Sequence, residues 1–202
     1  KIIRGGISTR SARARLLGTH IAHAGILILL VGHVLTTTLV DRTDPSNFVT
    51  LERDVPTQHQ GMELVFTGVE VLSADEQGYG YRIGDGYVGV VIEARDIGGS
   101  LLGTITPGML RFDSPSGMVS ARSEVDRLTG ATGDTIVILD LLQSNELLSS
   151  MILGQTDDVS EVRVTVHHLQ GSHLVWAGWL MVVTGSALAS LPRRVTEPSQ
   201  DE

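Results

Sequence analysis

Apolar and polar positions fall into three regimes along this chain. From Leu16 to Val40, LLGTHIAHAGILILLVGHVLTTTLV, about 25 residues run without Asp, Glu, Lys or Arg, yet with three histidines. At about 1.5 Å per residue, roughly 20 of them already cross a bilayer core, so the stretch predicts a membrane-spanning helix. A cleaved leader is the alternative, but its apolar core runs only about 7 to 15 residues before a small-residue cleavage site. This run is longer and ends in Thr36, Thr37 and Thr38. A second uncharged run, Leu174 to Leu191, is about 18 residues long and predicts a second crossing. Trp176 and Trp179 stand near its start, where an aromatic belt belongs, and Gly185 with Ala189 offers a small-residue contact to another helix.

Between the two runs the period changes. Met62, Leu64 and Phe66 alternate with Glu63 and Thr67, and the parity slips at Gly68 to Val69 and Val71, the signature of a β-bulge. Further strands are predicted at 87–95, 100–105, 118–125, 134–143 and 161–168, separated by Gly84-Asp85-Gly86, Gly98-Gly99, Pro115-Ser116-Gly117 and Gly130 to Gly133. Ile136-Val137-Ile138-Leu139 is apolar on both parities, as in a strand covered on both faces, and Val162, Val164 and Val166 face one way in the last strand. Residues 46 to 60 have no clear period. The fold class is therefore a membrane protein of α+β type, with two transmembrane helices flanking an extracytoplasmic antiparallel β domain, a sandwich or an open barrel.

Charge orients this arrangement. Lys1, Arg4, Arg10, Arg13 and Arg15 precede the first run with no acid among them, and Arg193 and Arg194 follow the second. Both flanks favour the cytoplasmic side. The expected organisation is a basic cytoplasmic segment at 1–15, helices at 16–40 and 172–191, an outer β domain at 41–171 and a cytoplasmic tail at 192–202, in a multi-pass protein of the cell (inner) membrane. The β domain carries 20 acids against 8 arginines, a net of −12, which disfavours nucleic acid as a partner. Cysteine is absent, which removes disulfides, thiolate metal sites and covalent haem attachment.

Histidines are the candidate chemistry. Ionisable groups inside a membrane helix are costly and mark function by default. His20 and His23 lie some 60° apart on one face with Thr19, Ile26, Leu27 and Leu30, at about 100° per residue. Gly18, Gly25 and Gly32 recur every seventh residue and with Ala22 make a small-residue stripe on which another helix can pack. His23 points away from that stripe, as a buried cofactor ligand would. A neutral histidine hydrogen-bonded across helices is the structural alternative for His23, and more so for His20 and His33. Elsewhere, His167 and His168 point to opposite faces of a strand, His173 is read as an interfacial residue, and Glu124 with Asp126, on one strand face, as a solvated pair. Phosphate loops, zinc helices and nucleophile elbows are missing from the sequence.

Three stretches together resemble a known family. AHAGILILLVGH after a basic segment is similar to the late, histidine-bearing helix of CcmF-type cytochrome c haem lyases; SEVDRLTGATGDTIVILDL resembles the periplasmic stretch before the family's last helix; HLVWAGWLMVVTGSALASLPRR resembles that last helix. The order is the family's, so the resemblance implies its C-terminal part or a split-gene subunit. The resemblance implies a haem chaperone that delivers haem, an apocytochrome c that receives it, and a transmembrane b-type haem held between two histidines, with His23 matching the late-helix ligand. It also implies a partner membrane chain, because the family's tryptophan-rich haem-handling segment and its other b-haem ligand have no counterpart here. Thr106 to Arg111 matches the family's proline-and-basic stretch only loosely. The alternative is a cofactor-free, membrane-anchored interaction subunit of a larger complex.

Overall fold

A computed structural model describes residues 2–75, 80, 83–140, 142, 147, 149, 150, 153 and 155–191, with residues 2–11 described by backbone alone. The chain divides into two compact units, a helical unit (1–39 and 170–202) and a β unit (40–169).

In the helical unit, α1 (Ile2–His33) takes in the basic stretch as its first turns and continues into the π-helical turn Val34–Thr38. α2 is Ser172–Ala189. Ala12–Thr38 and Ser172–Ala189 are each long and apolar enough to cross a membrane. The threonines explain the π-turn. Thr36 Oγ1 donates to the Gly32 carbonyl (2.9 Å) and Thr37 Oγ1 to that of His33 (2.6 Å), and the backbone then closes a wider ring from Leu39 N to Val34 O (3.2 Å). Hydroxyl back-bonding competes for the carbonyls that the α-helical ladder uses.

The two helices meet through glycine. A Cβ at Gly18 would lie 2.6 Å from both Ala189 N and Gly185 O, and one at Gly25 would lie 2.8 Å from Gly178 O; one at Gly185 would lie 2.4 Å from Ala22 N. Only hydrogen fits at these positions, so the backbones themselves are in contact. Large side chains turn outward: Leu16, Leu27, Leu30, Trp176, Trp179 and Leu180 are exposed.

The β unit is antiparallel throughout its named pairings. Its strands are β1 (Phe48–Glu52), β2 (Thr57–His59), β3 (Met62–Ser73), β4 (Gly86–Asp96), β5 (Leu101–Ile105), β6 (Gly108–Asp113), β7 (Val119–Glu124), β8 (Asp126–Thr129), β9 (Gly133–Leu139) and β10 (Glu161–Gln170). Four form a sheet in the order β1-β10-β9-β8, and five another in the order β2-β3-β4-β6-β7, with β5 on β4. The arrangement is open and curled, around one core that joins Leu51, Phe66, Val90, Ile92, Val137 and Val164 from both sheets. The β3–β4 register slips between Phe66 and Gly68, at the predicted bulge.

Three local expectations change. The strand predicted over 134–143 ends at Leu139. Asp140 Oδ1 accepts from the Leu142 amide (2.9 Å) and its Oδ2 from Arg163 Nε (2.9 Å), a side-chain turn that takes the backbone out of the ladder; Gln143 lies outside the described residues. Within β9, Val137 and Leu139 are buried while Ile136 and Ile138 are half-buried, so only one face is fully covered. Glu124 and Asp126 do not share a strand: the chain changes sheets at Val125, so Glu124 ends β7 and pairs with Arg122, while Asp126 opens β8 and its Oδ2 accepts from the Thr106 amide (2.7 Å).

Candidate functional site

The face of α1 opposite the glycine stripe carries His20 and His23, and His33 lies about 80° round the helix from the stripe. Gly18, Gly25 and Gly32 are buried, and His20, His23 and His33 are exposed, so packing against α2 fixes which side the imidazoles occupy. His23 has the most defined geometry. Its Nδ1 stands 2.7 Å from the Thr19 carbonyl oxygen. A carbonyl only accepts, so Nδ1 carries the proton, and a neutral ring then leaves the Nε2 lone pair pointing away from its own helix. A metal-bound histidine is held in the same way, with one nitrogen anchored on a backbone carbonyl and the other free to coordinate.

The Thr19 hydroxyl takes no part in this contact. It donates to the Arg15 carbonyl (3.1 Å). The His33 carbonyl accepts from Thr37, at the point where the π-turn begins. Among the described residues, no three His, Asp or Glu side chains converge to hold a metal ion. His20, His23 and His33 are spread along one helix rather than gathered.

The β unit's histidines do other work. His168 lies between two hydroxyls, with Nδ1 at 3.1 Å from Thr135 Oγ1 and Nε2 at 3.5 Å from Thr132 Oγ1. His167, on the opposite face as expected, is 8% exposed, and its Nδ1 is buried without a hydrogen-bond partner. Burial, with the Arg42 charge adding to it, holds the His167 imidazole below the usual histidine pKa; burial alone lowers His59. Arg111 is engaged with Asp113 (3.1 Å) and the Asp85 carbonyl (3.4 Å). His173 is exposed near the start of α2.

Reading Gly185 with Ala189 as the α2 contact leaves out Gly178, whose Cβ would lie 2.5 Å from Leu29 N. The signal for it is its seven-residue spacing from Gly185, the period of the α1 stripe.

No protein family matches the chain, and no curated protein matches it. Among solved structures it is similar to "Cytochrome c Heme Lyase CcmF", with 14% sequence identity and a TM-score of 0.58 over 90% of this chain. The chain is a CcmF-like fragment in fold. It spans 26% of that CcmF chain, so most of the CcmF chain has no counterpart here. The resemblance read from the three sequence stretches is borne out at the level of the fold.

Proposed function

We propose that this chain is a fragment or split subunit of a CcmF-type cytochrome c haem lyase, and that His23 is one axial ligand of a transmembrane b-type haem. The observation that carries the reading is the CcmF-like fold over 90% of the chain. The remaining lyase helices, and the second axial ligand, come from a partner membrane chain. His20 shares His23's helix and cannot reach the opposite face of a porphyrin. Both termini are cytoplasmic and the β domain lies outside, where it meets the haem chaperone and apocytochrome c.

The residues fit the group. The Thr19 carbonyl sets the ring plane and tautomer of His23, and the glycine contact with α2 holds α1 on its other side. Ile26, Leu27 and Leu30 on the same exposed face keep water from the ligand. When bound, a b-type haem supplies a redox-active iron whose potential follows its axial ligands and burial.

Alanine at each histidine tests the assignment on the complex purified with its partner chain. Loss of the haem Soret band only with His23→Ala is expected. Loss only with His33→Ala moves the site along α1, and no loss with any of the three favours the cofactor-free subunit. Thr19→Val should leave the band unchanged, because the anchor is the main-chain carbonyl and not the hydroxyl.

A further inference from the structure

We propose that the tip of the β4–β5 hairpin, Ile97 with Leu101 and Leu102, rests on the surface of the lipid bilayer. The inference rests on the reading that α2 crosses the membrane.

The β domain has two distinct ends. Met62 pairs with Asp96 at one end of the β3–β4 ladder and Ser73 with Gly86 at the other, about 35 Å away at roughly 3.3 Å per residue. At the first end, Gln60 Nε2 donates to Asn47 Oδ1 (3.0 Å) and lies 3.5 Å from the Val166 carbonyl. Gln60, Met62, Leu102, Leu128 and His168 also line one cleft of about 220 Å³ there. The chain therefore enters the domain, before Phe48, and leaves it, after Leu169, at the end that bears the hairpin tip. The opposite end holds the Asp85–Arg111–Asp113 cluster and the turn from Ser114 to Met118.

The tip is made for an apolar surface. Ile97 is 79% exposed, Leu101 59% and Leu102 52%, and no charge occurs from Ile97 to Leu110. Asp96, the nearest acid, has its carboxylate turned into the hairpin, where Oδ1 accepts from the Ser100 amide (2.8 Å). Exposed aliphatic side chains gain by leaving water.

Tether length selects lipid as the occupant. β10 ends at Gln170 and α2 begins at Ser172, with only Gly171 between them. One residue reaches about 3.8 Å. A single residue thus separates the domain end that β10 leaves from the start of α2, and Trp176 and Trp179 in the first turns of α2 fit the headgroup region.

The absence of cysteine makes the chain a clean background for single-site labels. An environment-sensitive fluorophore is attached at Ile97→Cys, Leu101→Cys, Met118→Cys or Leu27→Cys in the full chain, reconstituted in phosphatidylcholine vesicles with or without nitroxide-labelled lipid. Labels at 97 and 101 should lose emission to the quencher, as groups at the membrane interface do. The label at 27 should be quenched, and the one at 118 unaffected although Met118 is 72% exposed. Adding Ile97→Asp should restore emission at 101. Quenching at 27 without quenching at 97 and 101 overturns the proposal and leaves the spanning reading intact. No quenching at 27 overturns both, and equal quenching at 97 and 118 overturns end-on docking.

Discussion

The helical unit and the β unit distribute the same kinds of side chain in opposite ways. In the β unit large apolar groups such as Tyr87, Phe66, Leu51 and Ile92 are fully buried, and among the described residues its Asp, Glu and Arg side chains lie half-buried or exposed with the exception of Asp134. In the helical pair the smallest residues are innermost and leucine, valine and tryptophan face out. Water drives the first arrangement. The second suits helices in lipid, where apolar surface would have no water to escape and close backbone contact would hold the pair together. The mutational responses of the two units should therefore be inverted.

The largest effect is expected where a large side chain is removed from the β core. Phe66 is fully buried, with the Arg53 guanidinium 6.0 Å from its ring centre. Phe66→Ala should cost about 3–5 kcal/mol, read from denaturant unfolding followed by circular dichroism. A cost below about 1 kcal/mol would remove the shared core from the comparison.

In the helical pair, addition should be the damaging change. Gly178→Val places a Cβ 2.5 Å from Leu29 N and 2.7 Å from Gly25 O. Forcing extra atoms into such a contact costs about 1–3 kcal/mol, measured as weaker pairing of labelled α1 and α2 by energy transfer in detergent. Unchanged transfer would break the comparison from this side.

The smallest effect separates the units by pH. His59 and His167 have pKa values lowered in the folded β unit, from a usual value of 6.5. The unfolded chain then takes up protons first as pH falls, so β-unit stability is full above about pH 6.5 and declines below it, until the folded-state values are passed. Protonated His167 would also face Arg42. Unfolding midpoints measured between pH 7.5 and 5 should fall, and His167→Gln should flatten the slope; a midpoint that rises on acidification would reverse the sign.

The strongly patterned elements were legible in the sequence, and several of the short ones were not. Both apolar helices, the bulge beside Gly68 and the valine face of β10 follow from local periodicity. β1, β2, β6 and β8 are three to six residues long. β1 exists through a partner far along the chain, with Phe48 opposite Thr165, and β2, β6 and β8, though they pair with the next strand, are too short to show a period. The side of α1 that bears His23 could be read because a seven-residue glycine repeat defines its opposite face. Which atom of Thr19 meets the ring could not, since the hydroxyl's commitment to the Arg15 carbonyl depends on the helix already being formed.

The spacing of Gly18, Gly25 and Gly32 has a consequence for handedness. A row of every seventh residue drifts by about 20° per repeat around a straight α-helix, and two helices that keep such rows in contact wind around each other in a left-handed sense. Their axes then stay close to antiparallel, near the crossing angle of about 20° common to this packing. A pair wound this way keeps two long flanks open from end to end, and the flank that carries His23 is available to a neighbouring helix along its whole length.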